Sequence, residues 1–135
     1  MSAKRIKKKA VERDKYKTYL KKAGEFYNTM FQAKEMERWN AVGLNAVHCA
    51  ISSSDAMIVF YAGIRSTSDD HLALIDLLST SVKLPEAKSK CESLRKILVK
   101  KSTIEYEDRD FTQKEALELL KLTERFYTWV VSKIK

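Results

Sequence analysis

Glycine and proline are scarce in this sequence, which has three glycines and one proline among its 135 residues. A fold built on β turns needs more of both, so this composition argues against a β sandwich or barrel. Cysteine and histidine are also rare, with two residues of each. One cysteine pair without a nearby ligand set does not predict a zinc site. We expect Cys49 and Cys91 to be small buried side chains of a reduced protein.

Long apolar runs and cofactor motifs are missing as well. No apolar run reaches the length needed to span a bilayer, and no apolar segment follows the basic N-terminus as it does in a signal peptide. The sequence is 44% hydrophobic and 33% charged, which is typical of a globular protein, so we predict a cytoplasmic chain that does not enter a membrane. It has no glycine-rich phosphate loop, metal-ligand cluster or nucleophile motif, and we therefore predict no cofactor and no bound metal.

Positive charge is concentrated at the N-terminus. The formal net charge is +8, and residues 1–25 hold ten basic and three acidic residues. Such a run can bind RNA, DNA or an anionic surface through phosphate contacts; alternatively, it is a solvated tail that merges into an exposed helix face. Because the charges of residues 1–9 repel one another and have little to bury, we predict a disordered tail there and one folded domain over 10–135.

The segment 39–63 contains no lysine, arginine or glutamate, and apolar residues cover most of its helical wheel. A helix of this kind is covered by other elements, so we predict that it forms the core, with Gly63 as the residue that ends it. Its remaining sector carries polar side chains at helical spacing, namely Asn45, His48, Ser52 and Asp55. Buried polar groups need partners, which predicts a hydrogen-bonded network, with Arg65 or Tyr106 as the partner of Asp55. A Ser/His/Asp nucleophile is disfavoured because the helix is covered.

Four further segments show apolar residues at helical spacing. We predict helices over 10–33, 69–79, 85–101 and 113–132. Ser68 is the expected N-cap of the third helix, and Asp69 and Asp70 lie in its first turn, where the helix dipole favours acids. Thr112 and Glu115 form a capping box before the last helix. Five helices with short connections predict an all-α, up-and-down bundle of four to five helices, with 102–110 as a polar connection.

Arg65 and His71 are the candidate catalytic pair. Any imidazole chemistry must use one of the two histidines, and His71 follows Arg65 by six residues, at the start of the third predicted helix. Arginine neutralises charge that develops on a phosphate, and histidine transfers protons near neutral pH, so the two together suit RNA chemistry. The alternative is structural: His71 lies in the first helical turn and packs or pairs with Asp69 or Asp70.

The sequence AVHCAISSSDAMIVFYAGIRSTSDDH resembles the core of the HEPN-domain family. The resemblance continues through LLSTSV, KKSTIEYEDRDFTQKEA and RFYTWV, and spans roughly residues 24–131. It implies a bundle of four or five helices that is often a homodimer. Many HEPN proteins are metal-independent endoribonucleases, and many are toxins paired with an antitoxin such as a nucleotidyltransferase. Others bind nucleotides or act as non-catalytic partners.

Catalytic members of the family carry an arginine, four to six residues, and a histidine. Arg65 and His71 have five residues between them. The sequence departs from the family pattern at Ser66, where asparagine, aspartate or histidine is usual, and in placing the motif between the second and third helices.

Three functional hypotheses follow from these observations. We favour a binding module associated with RNA or a nucleotide, within a toxin–antitoxin type of system, because of these departures. The second hypothesis is an endoribonuclease toxin, in which Arg65 binds the scissile phosphate and His71 acts as general acid or base. Two active sites would meet at a dimer interface, and the basic N-terminus would help to hold RNA. The third is a purely structural or protein-interaction bundle. Exposure of Arg65 and His71 in one cleft distinguishes the second from the others.

Overall fold

A computed structural model describes residues 7–134 of the chain. It contains six α-helices and a two-stranded antiparallel ribbon. In chain order the elements are β1 (Lys8–Ala10), α1 (Tyr16–Glu35), α2 (Trp39–Ala62), β2 (Ile64–Ser66), α3 (Ala73–Ser81), α4 (Ala87–Leu98), α5 (Lys101–Tyr106) and α6 (Gln113–Lys133). A short 3-10 turn, Arg13–Lys15, leads into α1. The prediction of an all-α helical bundle is confirmed, with α5 as an additional short helix.

The core is organised around α2, as its sequence predicted. This helix packs most extensively against α1 and α6 and also contacts α3, α4 and α5. By length and composition α2 is apolar enough to cross a membrane, but 78% of its most apolar window is buried inside the fold. The helix is therefore the hydrophobic centre of the bundle. Cys49, on this helix, and Cys91, on α4, are free and buried, as predicted.

Two predicted helix ends are confirmed by their backbone geometry. Gly63 ends α2 in the left-handed region, with φ of 64°, which glycine adopts without a steric penalty. Thr112 and Glu115 form the predicted capping box at the start of α6. Phe111, immediately before the cap, is only 3% exposed. Gly63 and the capping box therefore fix where the chain leaves α2 and enters α6.

The N-terminal prediction needs correction. Lys8 and Lys9 belong to a strand rather than to a disordered tail, and α1 begins at Tyr16 instead of residue 10. The strand forms because its backbone finds partners in the segment after α2. Val11 N–H donates to Gly63 O at 2.8 Å, and Thr67 N–H donates to Lys7 O at 2.9 Å. Residues 1–6 of the predicted tail lie outside the described residues.

Two further boundaries differ from the predictions. Helix α3 begins at Ala73, because the preceding turn is stabilised by local side-chain hydrogen bonds: Ser68 Oγ accepts from Asp70 N–H and Asp70 Oδ1 from Leu72 N–H. Such bonds compete with helix initiation. The predicted connection 102–110 contains most of α5, which is stabilised by a Lys101–Glu105 ion pair of 2.8 Å and by packing of Ile104 against the core.

Two helical glycines provide a matched test of this packing. A Cβ atom at Gly43 would lie 2.8 Å from Cδ2 of buried Phe111, whereas one at Gly24 would lie 3.2 Å from the Tyr127 hydroxyl. We expect Gly43→Ala to lower the free energy of unfolding by about 1–3 kcal/mol through overpacking. Gly24→Ala should stay within about 1 kcal/mol of wild type, since its gain in helix propensity offsets a mild contact. Urea unfolding measures both, and equal stability of the two variants would contradict this account.

Candidate functional site

A small cavity lies where α2, β2 and the turn before α3 meet. Its volume is about 50 Å³, and it is lined by Ile51, Asp55, Arg65, Ser66, Ser68, Asp70, His71 and Leu74. Both members of the predicted pair, Arg65 and His71, therefore face the same space. β2 positions Arg65 two residues after the Gly63 turn, and the hydrogen-bonded turn of Ser68 and Asp70 positions His71.

Arg65 is positioned by a buried carboxylate and an aromatic ring. Its Nε lies 3.6 Å from Asp55 Oδ2, an ion pair that is longer than a hydrogen bond, and this Nε is buried without a hydrogen-bond partner among the described residues. The guanidinium carbon lies 5.2 Å from the centre of the Tyr19 ring. The Arg65 side chain is still 37% exposed, so the guanidinium remains accessible to an anion.

Asp55 is 5% exposed, and this burial is the largest influence on its pKa. Burial raises the pKa of Asp55 to about 6, while the charges of Arg65 and Lys22 oppose the shift. The carboxylate is thus ionised near neutral pH only with the support of neighbouring cations. Of the two predicted partners, Arg65 is the one that pairs with Asp55. Tyr106 lies at the end of α5 with 75% of its surface exposed and makes no hydrogen bond to Asp55.

His71 lies in the turn before α3 and is half-buried. Burial lowers the pKa of His71, the neighbouring Lys101 and His48 lower it further, and the carboxylates of Glu105 and Asp70 oppose the shift. Its ordinary pKa is about 6.5, so the imidazole is neutral at pH 7 and able to accept a proton. Within residues 7–134, no ion pair joins His71 to Asp69 or Asp70. The ion pair that the structural alternative offered is therefore absent from these residues, whereas packing of His71 against Asp69 or Asp70 is not excluded by it.

The polar stripe of α2 does not form one connected network. Asn45 donates to Ala41 O in its own helix at 2.8 Å, and His48 packs beside Phe26 with ring centres 5.4 Å apart. Ser52 is buried and Asp55 pairs with Arg65. Across residues 7–134, no hydrogen bond links one member of the stripe to another. Each finds a separate environment because the stripe runs from a half-exposed end of the helix into the core.

A second, wider cavity adjoins the first and shares His71 and Asp70 with it. Its volume is about 210 Å³, and the predicted residues Asp69 and Tyr106 line it together with Leu72, Leu98, Lys101 and Ser102. His71 thus stands at the boundary between a narrow polar cavity and a broader surface depression. Asp69 and Asp70 are exposed there.

Three neighbours of Arg65 were not predicted from the sequence. Tyr19 packs under the guanidinium, Lys22 lies with its Nζ 5.9 Å from the centre of the same ring, and Lys9 of β1 is the direct cross-strand partner of Arg65. They come from the first 22 residues, so only the tertiary fold brings them to the site. No local pattern marks them in a segment where lysine is common.

A family model for the HEPN domain matches residues 16–134. The chain belongs to the HEPN domain family. The matched region contains all six helices together with Arg65 and His71, and it begins after β1. HEPN domains often dimerise and associate with nucleic acids, and they are often nucleases or toxin-associated. A search of curated proteins found no match to the chain.

The buried carboxylate of Asp55 makes the free energy of unfolding depend on pH. Because the pKa of Asp55 is about 6 in the folded HEPN domain and about 3.9 in an unfolded chain, the folded state binds this proton more tightly. The contribution of the protonated Asp55 side chain to the free energy of unfolding is therefore present at low pH and lost as pH rises from about 4 to above 6. Relative to Asp55→Asn, wild type should lose on the order of 2 kcal/mol of unfolding free energy between pH 4 and pH 7.

Urea unfolding at several pH values measures this difference. Asp108→Asn, at an exposed loop position, is the control and should track wild type throughout. An Asp55→Asn difference that stays constant with pH would show that burial does not shift this carboxylate.

Proposed function

We propose that this HEPN domain is an RNA endonuclease that uses Arg65 and His71. The proposal depends on one observation above all: both side chains line the same small cavity, with Arg65 accessible and His71 neutral near pH 7. A cation beside a neutral imidazole is the pair of groups that phosphodiester cleavage requires. This arrangement favours the endonuclease over the binding module that the sequence alone suggested.

The size of the cavity favours a phosphate as the occupant. Its volume of about 50 Å³ is far below the roughly 300–1,000 Å³ of pockets that enclose small molecules. A whole nucleotide does not fit inside, whereas a phosphate group can enter while its sugars and bases stay on the surface. The substrate class is therefore an RNA strand bound by its backbone.

The proposed reaction is an internal transfer at phosphorus. His71 accepts the proton of a ribose 2′-hydroxyl, and the 2′-oxygen forms a bond to the adjacent phosphorus as the bond from phosphorus to the 5′-oxygen breaks. The products are a 2′,3′-cyclic phosphate and a 5′-hydroxyl, whose proton comes from water or another donor. Arg65 binds a non-bridging oxygen and neutralises the charge that accumulates there. Asp55 acts through Arg65, because it fixes the Nε edge of the guanidinium.

Cleavage of mixed-sequence labelled RNA in EDTA tests the pair. Loss of a general base should cost His71→Ala about 10²–10⁴ in rate, and loss of the cation should cost Arg65→Ala about 10²–10³. Arg95→Ala is the matched control for the arginine, because Arg95 is an exposed arginine on α4 outside the cavity lining. It should retain wild-type activity. DNA of the same sequence lacks the 2′-hydroxyl and should remain intact.

The outcomes separate the hypotheses. RNA that is bound but not cleaved, with binding weakened in Arg65→Ala, would return the function to a binding module. Cleavage that persists in both Arg65→Ala and His71→Ala would place the activity elsewhere. If the protein neither binds nor cleaves RNA, the structural bundle is the hypothesis that remains. Circular dichroism of each variant establishes that its fold is intact.

Exposed apolar side chains around the site support a homodimer. Leu44 is 39% exposed and lies on the same face of α2 as Ile51, which lines the cavity. Leu72, the residue after His71, is 42% exposed. We propose that these two exposed leucines belong to one apolar interface. In the proposed dimer, this face brings two cavities together.

Light scattering after gel filtration tests the dimer. Leu44→Glu introduces a charge into the proposed interface and should yield a monomer. Val131→Glu, at an α6 side chain that is 43% exposed, should leave the mass unchanged. A wild-type monomer, or equal behaviour of the two variants, would rule out this face as the interface.

A further inference from the structure

The basic N-terminus is folded against the candidate site. β1 and β2 pair antiparallel, with Lys9 directly opposite Arg65 and Lys8 directly opposite Ser66. Side chains of directly opposed residues extend from the same face of a ribbon, with Cβ atoms about 5 Å apart. Lys9 therefore lies beside Arg65, whereas Lys8 extends from the opposite face. Two adjacent, exposed lysines differ in their relation to the site.

Lys22, on α1, lies at the same aromatic ring as Arg65, that of Tyr19. Its Nζ lies 5.9 Å from the centre of the Tyr19 ring, and the Arg65 guanidinium carbon lies 5.2 Å from that centre. Tyr19 thus contacts both cations. The charge of Lys22 also acts on the buried Asp55 carboxylate, together with that of Arg65.

Positive charge is in excess around Arg65. Lys9, Lys22 and Arg65 contribute three cations, and Asp55 is the carboxylate that pairs with one of them. Asp70 also lines the cavity, and one of its oxygens accepts from Leu72 N–H. Neither Lys9 nor Lys22 belongs to an ion pair within the part of the chain described, residues 7–134. Exposed cations without partners attract phosphates.

We propose that Lys9 and Lys22, together with Arg65, form a second phosphate-binding site, which holds the RNA backbone beside the phosphate that is cleaved. This inference rests on the proposed function, because the shared Arg65 connects the two sites. Lys9 and Lys22 are positioning residues that do not touch the reacting atoms. The β1–β2 ribbon places one of them, and α1 places the other.

Binding of labelled 2′-O-methyl RNA, which has no free 2′-hydroxyl and stays uncleaved, tests the site over a range of salt concentrations. Lys9→Ala should weaken binding roughly fivefold and lower the slope of log affinity against log salt by about 0.7. Lys8→Ala, which removes the same charge from the other face, should have a much smaller effect. Lys22→Ala and its neighbour Lys21→Ala form a second pair with the same expected contrast. Lys9→Arg should restore binding.

Steady-state cleavage of unmodified RNA adds a readout that a structural role would not reproduce. Lys9→Ala and Lys22→Ala should raise KM with kcat nearly unchanged, whereas Arg65→Ala lowers kcat. Equal effects of Lys8→Ala and Lys9→Ala would mean diffuse attraction and would overturn the second site. If Arg65→Ala and His71→Ala lose cleavage while the lysine variants match their controls, only this inference fails. If wild type neither binds nor cleaves RNA, both fail.

Discussion

The ion pair between Asp55 and Arg65 is the interaction on which the candidate site depends. Asp55 lies on the core helix, where an ionised carboxylate is costly unless a cation compensates it. The cation comes from β2, immediately after that helix ends. The same pairing that relieves the core holds Arg65 at the mouth of a cavity, with its side chain still partly exposed. A requirement of folding thus orients a residue that is available for binding.

The β1–β2 ribbon depends on its contacts with the helical bundle. A two-stranded ribbon of three residues a strand is not stable alone, and here it is supported by packing of Ile64 against the core and by backbone hydrogen bonds at both ends. Gly63 supplies one of these acceptors at the turn that ends α2. The consequence is electrostatic, because Lys9, which would be repelled by its neighbours in a free tail, is held beside Arg65.

Predictions from the sequence succeeded where the determinants are local. The absence of lysine, arginine and glutamate identified α2, and Gly63, Thr112 and Glu115 marked the ends of helices through their own backbone and side-chain chemistry. Helix α5 was missed because six residues are too few to show a period. The start of α3 was placed too early because Asp70 serves the preceding turn instead of a helical one.

Within the candidate site, the sequence identified Arg65 and His71 by their spacing and named Arg65 as a possible partner of Asp55. It did not identify Lys9, because strand pairing joins residues 56 positions apart and lysines in a charged run show no alternation. Tyr19 and Lys22 were likewise visible only as parts of a helix. Local chemistry predicted Arg65 and His71 as the candidate pair, and tertiary structure was needed to find what surrounds them.

The single imidazole in the cavity constrains how the proposed cleavage can proceed. One proton must leave the attacking 2′-oxygen and another must reach the departing 5′-oxygen, and these two oxygens lie on opposite sides of phosphorus during in-line displacement. His71 is neutral and suited to the first transfer. His48 lies outside the cavity lining, so it does not supply the second. A second donor must then be water or the His71 of another copy, and in the proposed dimer such a copy binds where Leu72, which lines the adjoining cavity, and Leu44 on α2 are exposed.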